Sequence, residues 1–209
     1  MGEVTRPGTD VETAVLIDQE LPRWERRVLV SLPVEADSVT TFAAIRRVDF
    51  FRSPVIAVPN RLRTWFDAFI RSGEHGSAAQ PEHFGFDQLL EERGGFHLLA
   101  EEAGEELVLG FIGRWWDRGY GRVEWSAEEF RDFGRPGYGV GAWGFTVLPY
   151  GSSTTVLVTD VRVRCTDDEA RRSFQRYWTA VGPFVTAMGR PVLRLIRKEA
   201  ERAAKSVQG

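Results

Sequence analysis

From Trp24 onward the chain alternates, with Trp24, Arg26, Val28, Val30 and Leu32 on one side and Glu25, Arg27, Leu29 and Ser31 on the other. A period of two is that of a half-buried strand, and Pro33 reads as its end. Asp37 or Ser38 then caps a helix carrying Val39, Phe42, Ala43, Ile45 and Arg46. A second short helix is expected after Pro59, where Leu62, Trp65, Phe66, Phe69 and Ile70 recur at helical spacing. Gly73 to Gln80 reads as an irregular loop, and Pro81 to Glu92 as a helical turn or two.

Past Gly94-Gly95 the periodicity changes to that of strands. Phe96–Glu102 and Glu105–Trp116 flank Ala103-Gly104 as a hairpin would, and Gly121–Trp125 is a weaker strand. Ser126 stands three residues before Glu129, the spacing of a capping box, so a short helix is expected that ends near Gly134. Tyr138–Leu148 and Thr154–Cys165 are the two clearest strands, joined by the turn residues Pro149-Tyr-Gly-Ser-Ser. Thr166 then caps a helix whose first turn holds Asp167, Asp168 and Glu169. Its apolar stripe runs through Phe174, Trp178, Val181, Val185, Met188, Val192 and Leu195. Pro183, Gly189 and Pro191 predict a kink or a break near Gly189, since an unbroken helix to Lys205 would extend roughly 60 Å.

One strand, two short helices, about five or six antiparallel strands and a long amphipathic helix make an α+β two-layer domain. Residues 22–209 are expected to form that single domain, and residues 1–21 a tail or edge segment. The 209 residues suffice for a real core. With 14 Phe, 7 Trp and 4 Tyr and a net charge of −3, the chain is not disordered. Cys165 is the lone cysteine, which excludes a disulfide scaffold. The longest apolar stretch, Leu107–Gly113, is too short for a membrane span, and no signal-peptide pattern follows Met1. The expected compartment is the cytoplasm. Charge is uneven: Glu82–Glu106 holds eight acidic residues against one arginine, and Arg190–Lys205 holds six basic residues against two glutamates. Both runs read as solvated faces, the second also as a membrane-surface helix; neither is the basic face that nucleic acid requires.

Three stretches carry a family resemblance: Arg27-Val-Leu-Val-Ser-Leu-Pro-Val-Glu-Ala-Asp-Ser-Val leading into Phe42, the strand end Val161-Arg-Val-Arg-Cys-Thr-Asp, and Ala170-Arg-Arg-Ser-Phe-Gln-Arg-Tyr-Trp. Together with the element order they resemble the helix-grip fold of the START and polyketide-cyclase (SRPBCC) superfamily, in its uncharacterised bacterial branch. The resemblance implies a curved antiparallel sheet wrapped around the C-terminal helix, with two short helices after the first strand. It also implies a cavity between sheet and helix for an apolar ligand, in which some members cyclise or dehydrate polyketides. Three features depart from that pattern: the segment before the first strand, the insertion-like stretch Gly73–Gly95, readable as a lid, and the interrupted terminal helix.

Single motifs add little chemistry. Gly139-Val-Gly-Ala-Trp-Gly144 spells G-x-G-x-x-G, but the residues after it read as strand, whereas a dinucleotide fingerprint opens a helix. His75, His83 and His97 share no metal-ligand spacing, so no metal and no cofactor is expected. Cys165 closes the inward set Leu157, Thr159, Val161 and Val163 and reads as a small buried hydrophobe. Two readings of the tryptophans stand, plain core packing or an aromatic-lined cavity. Arg114, on a strand face with Val108, Gly110 and Ile112, either pairs with Asp160 or holds an anionic group of a ligand; Arg162 and Arg164 read as solvated on the outer side.

The candidate ligand-binding residues are Phe111, Arg114, Trp115, Trp143, Phe145, Tyr177 and Trp178. The first functional expectation is binding of a small hydrophobic or aromatic molecule. A polyketide cyclase or dehydratase is the alternative, although no base can be named for it. The third is a homodimer without ligand, joined through Leu29, Leu99, Val156 and Val158.

Overall fold

The computed structural model describes residues 15–49, 86, 90, 95–117, 121 and 123–208. A short helix α1 (Leu16–Glu20) leads into strand β1 (Arg26–Val34) and helix α2 (Ser38–Arg47). Strands β2 (His97–Glu102), β3 (Glu106–Gly113), β4 (Gly139–Pro149) and β5 (Thr155–Cys165) follow, with a 3₁₀ turn at Ala127–Glu129, and the chain ends in helix α3 (Asp168–Gln208). All pairings are antiparallel, in the order β1-β5-β4-β3-β2. The sheet curves around α3, so the architecture is the α+β helix grip that the element order implied. The second expected helix, after Pro59, lies outside the described residues, as do the Gly73–Gln80 loop, His75 and His83.

Alternation along each strand gives the sheet two cores. On the concave side Val34, Leu107, Leu109, Phe111, Phe145, Val147, Leu157 and Val163 meet α2 and α3. On the convex side Val108, Ile112, Val140 and Ala142 meet Ile17 and Leu21 at α1, together with Trp125, Phe130 and Phe133. Within the segment expected as a tail or edge, therefore, residues 16–21 contribute buried side chains. Leu16 N–H donates to the Glu106 carboxylate at 2.6 Å, while burial raises that carboxyl's pKa.

Several local expectations are corrected. Pro33 does not end β1: the strand runs to Val34 and Pro33 pairs with Val156, which an edge strand tolerates because the missing N–H faces outward. Residues 123–125 form no strand; Val123 and Trp125 instead pack as loop against the convex core. Asp167, not Thr166, caps α3, accepting from Ala170 N–H at 2.7 Å, while the Thr166 hydroxyl donates to Tyr138 O. Asp37 caps α2 through Thr40 N–H, and Ser126 and Glu129 form the expected capping box.

The largest correction concerns α3. It is continuous over 41 residues, with Pro183 and Pro191 inside it. A broken rod was expected because a single sheet seemed too small to support it. In fact α2 packs along its second half, where Leu193, Ile196 and Ala200 are fully buried, and β1 also lies against it. A Cβ at Gly189 would fall 2.8 Å from Val30 Cγ2, so the glycine permits that close approach of helix to strand. Burial along both halves offsets the hydrogen bonds that the two prolines remove.

Candidate ligand-binding face

Odd-numbered residues of β3 and β4 point toward α3, which sets Phe111 beside Gly141 and Trp143 beside Leu109. Gly139 and Gly141 are therefore seats for rings rather than a phosphate loop, and all of Gly139–Gly144 lies in strand β4. A Cβ at Gly141 would fall 2.2 Å from the Phe111 ring, and one at Gly139 2.4 Å from the Trp115 ring. The glycines let two large aromatics lie flat on the sheet.

These seats organise a continuous run of rings. Phe145 and Trp143 lie 5.0 Å apart, centroid to centroid, Trp143 and Phe96 6.1 Å, Phe96 and Phe111 5.2 Å, and Phe111 and Trp115 5.3 Å. Trp115 reaches α3 at Phe174 (6.2 Å), which in turn meets Trp178 at 5.4 Å and Tyr177 at 6.4 Å. Phe111, Trp115, Phe145 and Phe174 are buried, whereas Trp143, Tyr177, Trp178 and the neighbouring Val161 keep partial exposure. Gly182 serves Trp178 as Gly141 serves Phe111: a Cβ there would fall 2.6 Å from the indole Nε1.

Among the described residues the polar groups on this face are few and occupied. The Trp143 indole N–H donates to Thr159 Oγ1 at 2.7 Å, and Thr159 donates to Gly144 O, so the indole is held in plane by one buried hydroxyl. Among the described strand residues the carboxylate on this face is Glu101, opposite Leu107, and it is bound to Arg46 of α2. The Cys165 thiol is buried, with its pKa pushed up to about 12 by burial, so it is neither nucleophile nor base at neutral pH. His97 is on the opposite face, its ring 4.2 Å from Trp125. The arrangement can desolvate and stack an apolar molecule; the described residues offer no general base to act on one.

Six of the seven sequence-predicted residues thus come together: Phe111, Trp115, Trp143, Phe145, Tyr177 and Trp178. Arg114 does not join them. It follows β3 on the convex side, its guanidinium 5.2 Å over the Tyr138 ring and its Nε 3.5 Å from Asp117. Nor does it pair with Asp160, since β4 lies between their strands. Asp160 instead takes both oxygens to Arg27 and also binds Arg162. Arg162, expected in solvent, is 1% exposed, also bonded to Asp18 at 2.5 Å and stacked 4.3 Å under Trp24. Of the positions proposed for a dimer, Leu99 packs with the convex core near Phe130, while Leu29 is 54% exposed and Val156 and Val158 are half-buried beside it.

The candidate contacts read from the sequence left out Phe96, Trp116 and Thr159, although Thr159 was already on the inward side. Phe174 was on the helix stripe without being connected to the sheet. Phe174 and Thr159 carried a usable signal, each lying on an apolar period already recognised. Phe96 and Trp116 were expected at the ends of strands, but β2 starts at His97 and β3 stops at Gly113, so strand alternation does not set their faces.

No family model and no curated protein matches the chain. Among solved structures it is similar to CalC, a self-sacrificing resistance protein of Micromonospora echinospora (15% identity, 87% of this chain and 98% of that one, TM-score 0.39). It is also similar to the di-domain ARO/CYC BexL of the BE-7585A biosynthetic pathway (11% identity, 84% and 46% covered, TM-score 0.38) and to a START superfamily protein of Mycobacterium smegmatis (12% identity, 87% and 98% covered, TM-score 0.29). Overlaps of this size say nothing of ligand or activity, and the helix-grip assignment rests on the strand order and terminal helix of the chain itself. None of the described helices is long and apolar enough to cross a membrane.

Proposed function

We propose that the chain binds a small, mostly apolar or aromatic molecule between the concave face of the sheet and α3. The observation that carries this is the unbroken run of rings from Phe145 through Phe96, Phe111 and Trp115 to Trp178, with Trp143, Tyr177 and Trp178 still partly exposed along it. Plain packing would bury such rings, and each one covered by a ligand contributes in proportion to the apolar area it loses to water, about 25 cal/mol per Å². Rings on rings also favour a flat partner, through offset or edge-to-face contact. The binding unit is the single domain of residues 22–209, with α1 laid on its back, working in the cytoplasm.

Binding is favoured over cyclase or dehydratase chemistry because Glu101 is engaged by Arg46 and His97 faces away. Proton abstraction next to a carbonyl needs a base within hydrogen-bond reach. Native mass spectrometry of the purified chain, combined with titration of tryptophan fluorescence by a panel of aromatic and aliphatic molecules, tests the reading. A saturable quench is expected, weakened about tenfold or more by Trp143→Ala. A panel without saturable binding, or equal affinity in that variant, would overturn it.

A further inference from the structure

The convex face holds a recess whose chemistry differs from that of the aromatic run. Residues 19–23, the end of α1 and the turn after it, and the segment Arg131–Phe133 after the 3₁₀ turn run past each other over the end of β5, leaving a cleft of about 460 Å³. Its walls include Leu21, Pro22 and Phe133, and its charged residues are Glu20, Arg23, Arg131, Asp132 and Arg164. The size is within the range of small-molecule sites.

The arginines of this region differ in one respect. Arg162 meets Asp160 and Asp18, and Arg131 grips the buried Glu20 through two hydrogen bonds. Arg164 is half-buried and, among the described residues, touches no carboxylate: its hydrogen bonds go to the main-chain oxygens of Phe133 (2.9 Å) and Arg131 (3.4 Å). Arg23, exposed on the same cleft, forms no ion pair among the described residues. Burial lowers the pKa of Arg164 and the charge of Arg23 adds to that, while Glu25 and Asp132 oppose it from a distance. A desolvated guanidinium without a carboxylate in contact is costly, and an incoming anion relieves the cost.

We propose that this cleft binds a small organic carboxylate, its charge between Arg164 and Arg23 and its carbon body against Leu21, Pro22 and Phe133. Glu20 does not compete, because Arg131 already holds both of its oxygens. The apolar walls favour a short acyl or aryl carboxylate over inorganic phosphate. The site is on the other side of the sheet from the aromatic run, so its occupancy does not depend on the concave reading.

Calorimetric titration of the full chain with butyrate tests this, with 1-butanol and inorganic phosphate as comparison probes at matched ionic strength. Butyrate is expected to bind in the millimolar range or tighter, at least fivefold more strongly than either comparison probe. Arg23→Ala, an exposed change that leaves the fold intact, should weaken it about three- to tenfold. Arg164→Gln, which keeps an amide donor for the two carbonyls, should weaken it more, whereas Trp143→Ala should leave it unchanged. Equal binding of butanol, preference for phosphate, no binding by butyrate, or a loss confined to Trp143→Ala would each overturn the assignment.

Discussion

On its concave face the sheet meets α3 through rings seated on glycines, and the few polar atoms there are occupied by neighbours of the same face. On its convex face the same strands meet the N-terminal segment through charge: Arg162 lies under Trp24 with Asp160 and Asp18 against it, and Arg27 closes on Asp160 from the sheet edge. The two faces differ by a single step in strand register, since each residue's neighbour points the other way. Contacts on the first side are apolar and non-directional, so they do not fix one geometry. The other fixes its cover in one geometry, because a buried cation accepts only a partner placed to hydrogen-bond with it.

If that contrast is right, the largest loss of stability comes from the charged side. Asp160→Ala leaves Arg162 buried with Asp18 as its remaining acid and strips Arg27 of its bidentate partner. The expected cost is about 3–5 kcal/mol in urea unfolding. Adding Arg162→Met to that variant should recover part of the loss, because a well-packed apolar side chain replaces an uncompensated charge. A cost below about 1 kcal/mol for Asp160→Ala, or no recovery in the double variant, would mean the network is surface decoration.

A smaller effect sharpens the comparison with one methyl group on each face. Gly141→Ala drives a Cβ into the Phe111 ring, itself wedged between Phe96 and Trp115, and is expected to cost about 1–3 kcal/mol and to blunt ligand-induced fluorescence changes. Gly144→Ala, three residues on and facing the other way, meets Ile17 of the short α1 at 3.2 Å. That helix can give by a few tenths of an ångström, so less than about 1 kcal/mol is expected, with ligand response intact. Paired denaturation curves check both, and equal costs would remove the distinction between a wedged and a yielding partner.

The element order could be read directly, and alternation in β1 and the second half of β5 gave their faces, whereas β4 is apolar on both sides. Six of the seven candidate residues share one face, the side of the odd-numbered positions of β3 and β4 and of the helix stripe. Arg114 was misplaced for an instructive reason. Its companions Val108, Gly110 and Ile112 are apolar, which left Arg114 between an ion pair with Asp160 and an anionic group of a ligand; a sheet covered on both sides has two apolar faces, so the companions do not decide which one it joins. Arg162 was expected in solvent, since nothing local announces that Asp18, Leu21 and Trp24 return to cover it. The continuity of α3 was hidden likewise, because its support comes from α2, more than a hundred residues earlier in the chain. Local patterns give the period of an element; long-range contacts decide what lies over it.

The smallest expected effect is a pH dependence confined to the convex side. His97 remains exposed as a residue, yet its ring lies on Trp125 and burial lowers its pKa below the ordinary 6.5. The unfolded chain therefore binds a proton at a pH where the folded chain does not. It follows that this contribution to stability is complete above about pH 6.5 and is lost as pH falls from there through the folded value. His97→Gln removes the titrating ring and should flatten the decline of the urea midpoint between pH 7 and pH 5 relative to the unaltered chain. The difference between the two proteins reads the His97 ring. The ligand affinity of the concave face should not follow this titration, because the imidazole and the aromatic run are on opposite sides of the sheet. Parallel pH profiles for stability and binding would show instead that the two faces communicate through β2 and β3.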